Sequence, residues 1–298
     1  MAREYIAGRS RSTNAERLAL QSNPMTGGTT LDYTSGGTNY RSHTFTSTGD
    51  LEVTESTDID VLILAGGGGG SNGSSNYGGS GGGAGGLGVA TGHTISTGTK
   101  TVTIGSGSSY GQSTYGGSTT FDVFTATGGQ GASQYVAGDS GTATASSGSI
   151  TEYRYDGING RASGSGAGGV GTTSSSSSNA IGKAGGYGVS NDFRTGSDEC
   201  RAGGGGSGSN KDKSSNASAS PCGGGLGRRK SWAGGNGATN MGGGGGGGGG
   251  RNGGGSSGGS GLLVLRYELT WDARNGEMFY EPETNKEFIF YNNNWTEV

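Results

Sequence analysis

The stretch MGGGGGGGGGRNGGGSSGGSGLLVLRY, residues 241–267, decides how this chain is read. Nine consecutive glycines, Gly242 to Gly250, lead through a second glycine-rich run into Leu262-Leu263-Val264-Leu265, closed by Arg266-Tyr267. The same order appears reversed near the start, where Val61-Leu62-Ile63-Leu64 passes through Ala65 into Gly66 to Gly70. Short apolar strands therefore bracket a glycine-dominated interior of about 200 residues.

Glycine supplies 73 of 298 residues and apolar residues only 28%, against roughly 45–50% in an ordinary globular domain. That supply cannot build a conventional core for this length, so the chain is disordered, fibrous or held mainly by backbone hydrogen bonds. Disorder conflicts with Lys100-Thr101-Val102-Thr103-Ile104 and Thr119-Thr120-Phe121-Asp122-Val123-Phe124, which are β-branched or aromatic with partial alternation and read as strands. Ordering glycine costs more conformational entropy than ordering any other residue. Collagen is excluded, because the chain has three prolines and no Gly-X-Y period. The remaining ordered form is a bundle of extended polyglycine-II helices, without internal hydrogen bonds, whose N–H and C=O groups pair with neighbouring helices. Nine glycines would span about 28 Å at that rise.

The net charge of −3 gives no global attraction to nucleic acid or to an anionic membrane. The apolar runs are too short to span a bilayer, and MAREYIAGRSRS lacks the apolar core of a secretory signal. The expectation is a protein made in the cytoplasm and released by a route such as lysis.

Residues 1–38 differ in composition from the glycine-rich interior. Arg9 and Arg11 make the segment basic, and Thr13-Asn14-Ala15-Glu16 fits a capping box for a short helix over 14–21, ahead of Pro24. Leu18 and Leu20 give that helix little amphipathicity. The segment is read either as a loose terminus or as a docking arm using Arg9, Arg11, Leu18 and Leu20.

Residues 40–65 read as strands: Tyr40 to Phe45, a turn at Gly49-Asp50, Leu51 to Val53, then Ile59 to Leu64. The series HTFTSTGDLEVTESTDIDVLILAGGGGG, continued at residues 100–105 and 116–121 and closed by GGSGLLVLRY at 258–267, resembles the glycine-rich domains of bacteriophage tail-fibre and other virion proteins. The resemblance covers about residues 40–268. It implies a mainly β fold: a small β-sandwich-like base carrying packed polyglycine-II helices, with little α-helix. It also implies loops at the helix ends that touch a host receptor. Candidate loops are 71–77, 130–158, 172–180, 190–201, 209–222 and 228–241. Within them Tyr135, Tyr153, Arg154, Tyr155, Phe193 and Trp232 have the amphipathic character of recognition surfaces. The alternative is that these aromatics cap the bundle against water.

Residues 269–298 form a third unit. Residues 276–280 and 287–291 flank a turn-rich spacer and read as a β-hairpin followed by a turn. Two strands alone are marginal in water, so Phe279, Phe288, Phe290 and Trp295 are expected to be buried on one covered face.

Little points to chemistry. Cys200 and Cys222 could hold zinc only by converging with His43 and His93, and no metal-ligand spacing supports that. Two unpaired thiols are the default for a chain made in a reducing cytosol, with a late disulfide as the alternative. The only Gly-Lys, Gly182-Lys183, is followed by Ala184 and cannot be a phosphate loop. Calcium binding by Asp192, Asp198 or Glu199 has no loop signature. Arg228-Arg229-Lys230-Ser231-Trp232 and Gly250-Arg251 superficially suit RNA, but arginine–glycine RNA binders are basic and repetitive. No enzyme, cofactor or metal is expected, and neither nucleic-acid binding nor membrane insertion.

The reading is thus a virion surface protein, a tail fibre or fibre-tip adhesin. Its N-terminal arm would dock on other virion proteins, and its loops would bind a host glycan or outer-membrane protein. A homo-oligomer is expected, and a trimer fits fibre-like assembly. A capsid-decorating or purely structural virion protein is the alternative.

Overall fold

The computed structural model of the protein describes residues 23–110, 114–156, 164, 166, 169, 171–172, 180–217 and 222–269, together with strands at 278–281, 286–291 and 294–297. The expected helix over 14–21 and the arm residues Arg9, Arg11, Leu18 and Leu20 lie outside these residues. The described chain is mainly β, without helix, and all its paired strands are antiparallel.

In chain order the strands begin with β1 (Met25–Thr26), β2 (Thr29–Ser35), β3 (Thr38–Phe45), β4 (Gly49–Val53) and β5 (Thr57–Leu64). Next come β6 (Leu87–Ile95), β7 (Gly98–Thr103), β8 (Thr119–Phe121), β9 (Phe124–Ala126), β10 (Ala143–Ala145) and β11 (Thr151–Tyr153). The series ends with β12 (Val189–Asn191), β13 (Glu199–Arg201), β14 (Leu262–Glu268), β15 (Met278–Glu281), β16 (Lys286–Tyr291) and β17 (Asn294–Glu297). One six-stranded sheet runs β1-β4-β7-β8-β9-β10 and a second runs β11-β6-β5-β14-β3-β2.

The two bracketing apolar runs lie side by side. Leu262 pairs with Leu64, Leu263 with Ile63, Val264 with Leu62 and Leu265 with Val61. The runs 61–64 and 262–265 are apolar at every position, rather than at alternate ones, because both faces of the sheet are covered there. Leu62, Leu64, Leu262 and Val264 point to one side, with Leu87, Ala84, Phe193 and Ala202. Residues on the opposite side, Val61, Ile63, Leu263 and Leu265, are equally buried. The first sheet supplies Leu51, Val102, Phe121 and Phe124 to the buried interior. The sheets touch where the Phe124 ring meets His93 edge-on, at 4.8 Å between centroids. Where β5 ends and β8 begins, the Thr119 hydroxyl donates to the Leu64 carbonyl at 2.8 Å.

Two hairpins depart from the expected boundaries. Gly36 and Gly37, at φ +59° and +88°, turn β2 into β3. A two-residue turn with both central φ positive matches the natural twist of a hairpin, and glycine adopts it without strain. The compact unit consequently runs Pro24–Tyr267 and includes residues 24–38, which composition groups with the N-terminal arm. The stretch 119–124, read as one strand, is a hairpin whose turn holds Asp122 at φ +48°. The Asp122 carboxylate is held at that turn by His93 Nε2 at 2.9 Å and Lys100 Nζ at 3.2 Å. Burial opposes its ionisation, but these two partners keep its pKa below the ordinary carboxylate value.

Between β5 and β14 the glycine runs leave the sheets as extended segments joined by hydrogen bonds that repeat every three residues. Gly244, Gly247 and Gly250 donate to the carbonyls of Gly203, Gly206 and Ser209. Gly245 and Gly248 donate to Gly68 and Ser71, and Gly246 and Gly249 to Gly235 and Trp232. In the other direction, Gly85, Gly82 and Gly79 donate to Gly242, Gly245 and Gly248. Gly225 and Arg228 donate to Gly244 and Gly247, and Gly259 to Gly243. Residues 242–250 thus form a central rod with six neighbouring segments, each a different part of the chain. A Cβ built at almost any glycine of the rod would fall within 3.0 Å of a neighbouring backbone atom. This packing tolerates glycine because it has no side chain.

The disulfide between Cys200 and Cys222, with Cα atoms 4.9 Å apart, replaces the expected free thiols. It ties β13 to the start of the segment at 223–228, next to the Gly203 N–H bond to the Cys222 carbonyl.

A second compact unit includes Glu268–Val298. There β15, β16 and β17 form a three-stranded antiparallel sheet, with Phe279 opposite Phe288 and Phe290 opposite Trp295. The side chains of Phe279, Phe288, Phe290 and Trp295 lie outside the described residues, and their expected burial with them.

Candidate functional site

The hydrogen-bond ladders fix which loops meet at the end of the rod remote from the sheets. Gly242 lies against Leu64 at the sheet end, so Gly250 marks the other end. There Asn252 N–H donates to the Ser74 carbonyl, Lys211 N–H to Asn76 and Ser209 N–H to Arg228. Trp232 N–H closes a turn on the Arg229 carbonyl at 3.1 Å. Four turns therefore gather at this distal end, around residues 74–77, 210–213, 228–232 and 250–252. Sequence supplies the turn chemistry: asparagine and serine cap by side chain, as where Asn216 Oδ1 accepts from the Arg229 N–H at 3.2 Å.

The candidate recognition residues are not brought into one patch. Trp232 is 51% exposed at the distal end, with the Arg229 guanidinium 5.0 Å above its ring. Tyr135, 50% exposed, sits in a loop anchored further down the rod, where Ala132 N–H donates to Gly69 and the Ser80 hydroxyl to Gln134. Tyr153 lies in β11 beside β6 and packs half-buried against the Leu62–Leu262 cluster. Arg154 is exposed and paired with Asp156 at 2.7 Å, and Tyr155 is 44% exposed on the flank.

Phe193 leaves the set of surface candidates. It is 5% exposed, lies in the β12–β13 loop at the sheet end, and packs in the cluster. The Arg266 guanidinium stacks on it at 3.9 Å and on Tyr40 at 4.5 Å, while pairing with Asp60 at 2.9 Å and Asp192 at 3.3 Å. A loop of polar sequence is expected to project; this one folds back to cover the sheet face left open by Leu62 and Leu262. Glu199, gripped by Arg194 and Arg201, keeps the covering loop in place.

Titratable groups with displaced pKa values lie at this sheet end. His43 is buried, its Nδ1–H donating to the Gly27 carbonyl at 2.7 Å, while Nε2 has no partner among the described residues. Burial pushes its pKa below the ordinary 6.5, with the Gly27 bond opposing. The sign follows directly. Unfolded His43 takes up a proton near pH 6.5 and folded His43 resists it, so its contribution is complete above 6.5 and lost as pH falls below. Stability should fall from pH 7 towards 5 by up to about 1.4 kcal/mol per pH unit for one proton. A urea titration of His43→Gln should lack that segment of slope. Asp32, held by Arg41, and Glu199, held by Arg194, have lowered values. Their share is present above the ordinary carboxylate range and is lost at still lower pH.

Among the described residues no group of three or more His, Cys, Asp or Glu could hold a metal ion, and no helix is long and apolar enough to cross a membrane. The cation-rich turns at the distal end are what sequence reasoning misses. Their signal, Arg228-Arg229-Lys230-Ser231-Trp232, lies in the candidate loop 228–241, but its cations read there as an RNA motif.

With bracketing strands, packed glycine runs and projecting turns established, the class is that of a glycine-rich β protein with no recognisable reaction centre among its described residues. A family model described as glycine-rich domain matches residues 42–268. The chain belongs to that family. No curated protein matches it.

Proposed function

We propose that the chain is a surface protein of a bacteriophage virion, a tail fibre or fibre-tip adhesin, whose distal turns bind the host cell surface without catalysis. The observation that carries this reading is the gathering of four turns at the end of a rod held by backbone hydrogen bonds from six sides. A recognition surface needs turns that vary in sequence without disturbing their support, and a rod built from main-chain bonds provides that. We take the rod to be a polyglycine-II bundle. Its three-residue bond repeat fits a helix of three residues per turn without internal bonds. Membership of the glycine-rich family supports the fold of the rod and is silent on the host. In this reading the N-terminal arm, through Arg9, Arg11, Leu18 and Leu20, docks on other virion proteins, and the chain assembles with copies of itself.

Adsorption of particles carrying the protein tests the reading. Trp232→Ala together with Tyr135→Ala should slow adsorption to host cells at least about tenfold, the effect of one strong contact residue, with the melting temperature unchanged. Gold-labelled antibody to the distal turns should mark fibre ends on intact particles. Unchanged adsorption, with label spread over the head, would replace the adhesin with a capsid-decorating protein.

A further inference from the structure

We propose that the distal end of the glycine rod is a binding surface for an acidic polysaccharide. The inference names the partner class of the surface described above and rests on that reading only for where the polymer is met.

Charge is segregated along this molecule. Lys211, Lys213, Arg228, Arg229, Lys230 and Arg251 all lie on the distal turns, and the acid at those turns is Asp212 alone. None of the six cations forms an ion pair with a described residue. At the sheet end, by contrast, Arg41, Lys100, Arg194, Arg201 and Arg266 are each matched to an Asp or Glu. A chain of net charge −3 thus presents a concentrated positive tip. Such a tip attracts anions and raises their rate of encounter.

The turns that carry the cations are also held in place. Arg251 Nε donates to the Lys211 carbonyl at 3.3 Å, and the Arg229 N–H is fixed by Asn216. Arg228 N–H and the Trp232 carbonyl are bonded to the rod itself, at Gly247 and Gly249. Turns fixed in this way need little further ordering of their backbone on binding.

Trp232 decides the kind of anion. Its exposed ring, with Arg229 over it, offers one flat apolar platform amid neutral hydrogen-bonding groups at Asn76, Asn216, Ser231 and Asn252. A sugar ring has an apolar C–H face to stack there, hydroxyls for the amides, and acidic substituents for the cations. Single-stranded nucleic acid instead uses successive stacking platforms along an extended basic groove, and these turns expose a single ring, Trp232. A lipid surface would call for several exposed apolar side chains to insert, and these turns expose one, Trp232.

The test uses the full chain with polygalacturonate as probe, against uncharged dextran and an oligothymidylate of matched charge concentration. Binding to polygalacturonate is expected, weakening as salt rises, with none to dextran. The variant Arg228→Gln, Arg229→Gln, Arg251→Gln should bind at least tenfold more weakly, and Trp232→Ala severalfold more weakly. Lys100→Gln, the same kind of charge loss at the sheet end, should bind as the parent does. If the triple variant fails to fold, the exposed single change Arg251→Gln carries the test. Equal binding by parent and distal variants, equal loss on Lys100→Gln, or tighter binding to oligothymidylate would each overturn the proposal. The adsorption assay separates this surface from the adhesin reading. Adsorption lost in Trp232→Ala with polygalacturonate binding intact removes the polysaccharide surface and leaves the adhesin. Binding lost in the triple variant with adsorption unchanged leaves the surface and removes the adhesin.

Discussion

Replacing Gly246 with valine should destabilise the protein by roughly 3 kcal/mol or more, at the top of the range for overpacked cores. Gly246 lies mid-rod: its N–H donates to Gly235 at 2.9 Å and its carbonyl accepts from the Ser256 hydroxyl at 2.8 Å. A Cβ there would collide with the Leu226 carbonyl oxygen and carbon, and with Gly225 behind them. Relief would require two segments to move apart, breaking the bonds that replace a hydrophobic core in this part of the chain. Alanine at the same position should cost nearly as much, since the first carbon already clashes. Gly254, eight residues along, provides the control: a Cβ there meets only the Ala233 methyl at 3.8 Å. Gly254→Ala should fall within about 0.5 kcal/mol of the parent. Equal denaturation midpoints for Gly246→Ala and Gly254→Ala would show that backbone contact does not stabilise the rod.

That contrast between two glycines also marks where sequence stops being informative. The strands at both ends are legible because β-branched and apolar residues cluster there, whereas their pairing, Leu262 with Leu64, is seen only in the fold. The run of nine glycines correctly indicates close backbone approach. What it cannot indicate is neighbourhood. A glycine carries no side chain to pattern, so no periodicity distinguishes the segment packing on one side of residues 242–250 from that on another. Composition misleads at residues 24–38, where polarity suggests an arm. The Gly36-Gly37 pair between Tyr33 and Tyr40 is a hairpin signal that outranks polarity, and β2 joins the sheet through it.

The candidate surface is legible to a similar degree. Trp232 reads as an exposed aromatic, and the structure leaves it exposed. Phe193 groups with it on equal grounds, since both are lone aromatics in polar loops. They differ in what lies beneath them. Phe193 has the open face of Leu62 and Leu262 to cover, together with a guanidinium on its other side. That distinction needs Arg266, 73 residues away, and no local pattern contains it. The distal cations escape sequence reasoning for the same reason. Lys211, Arg229 and Arg251 are scattered in sequence and adjacent only because three excursions of the chain end at one level.

Removing the disulfide by Cys200→Ala and Cys222→Ala should cost about 3 kcal/mol, the loop-closure entropy for a separation of 22 residues. At the usual scaling for a unit of this size, that lowers the melting temperature by on the order of 10 °C. The loop it closes is an entire excursion. Residues 203–210 run from the sheet end to the distal turns, and the chain is back at the sheet end by Cys222. Segments rich in glycine and serine gain the most freedom on unfolding, so a staple across their base restricts the unfolded chain where it would otherwise be loosest. The expectation of free thiols rests on compartment, and geometry overrides it: the Cys200–Cys222 Cα separation of 4.9 Å falls within the bridging range. Melting with and without dithiothreitol checks the claim. Reduction should lower the parent's transition to that of the double alanine variant and leave the variant unmoved. A parent transition insensitive to reduction, with both thiols then shown to be free, would mean that the main-chain ladder alone holds the excursion closed.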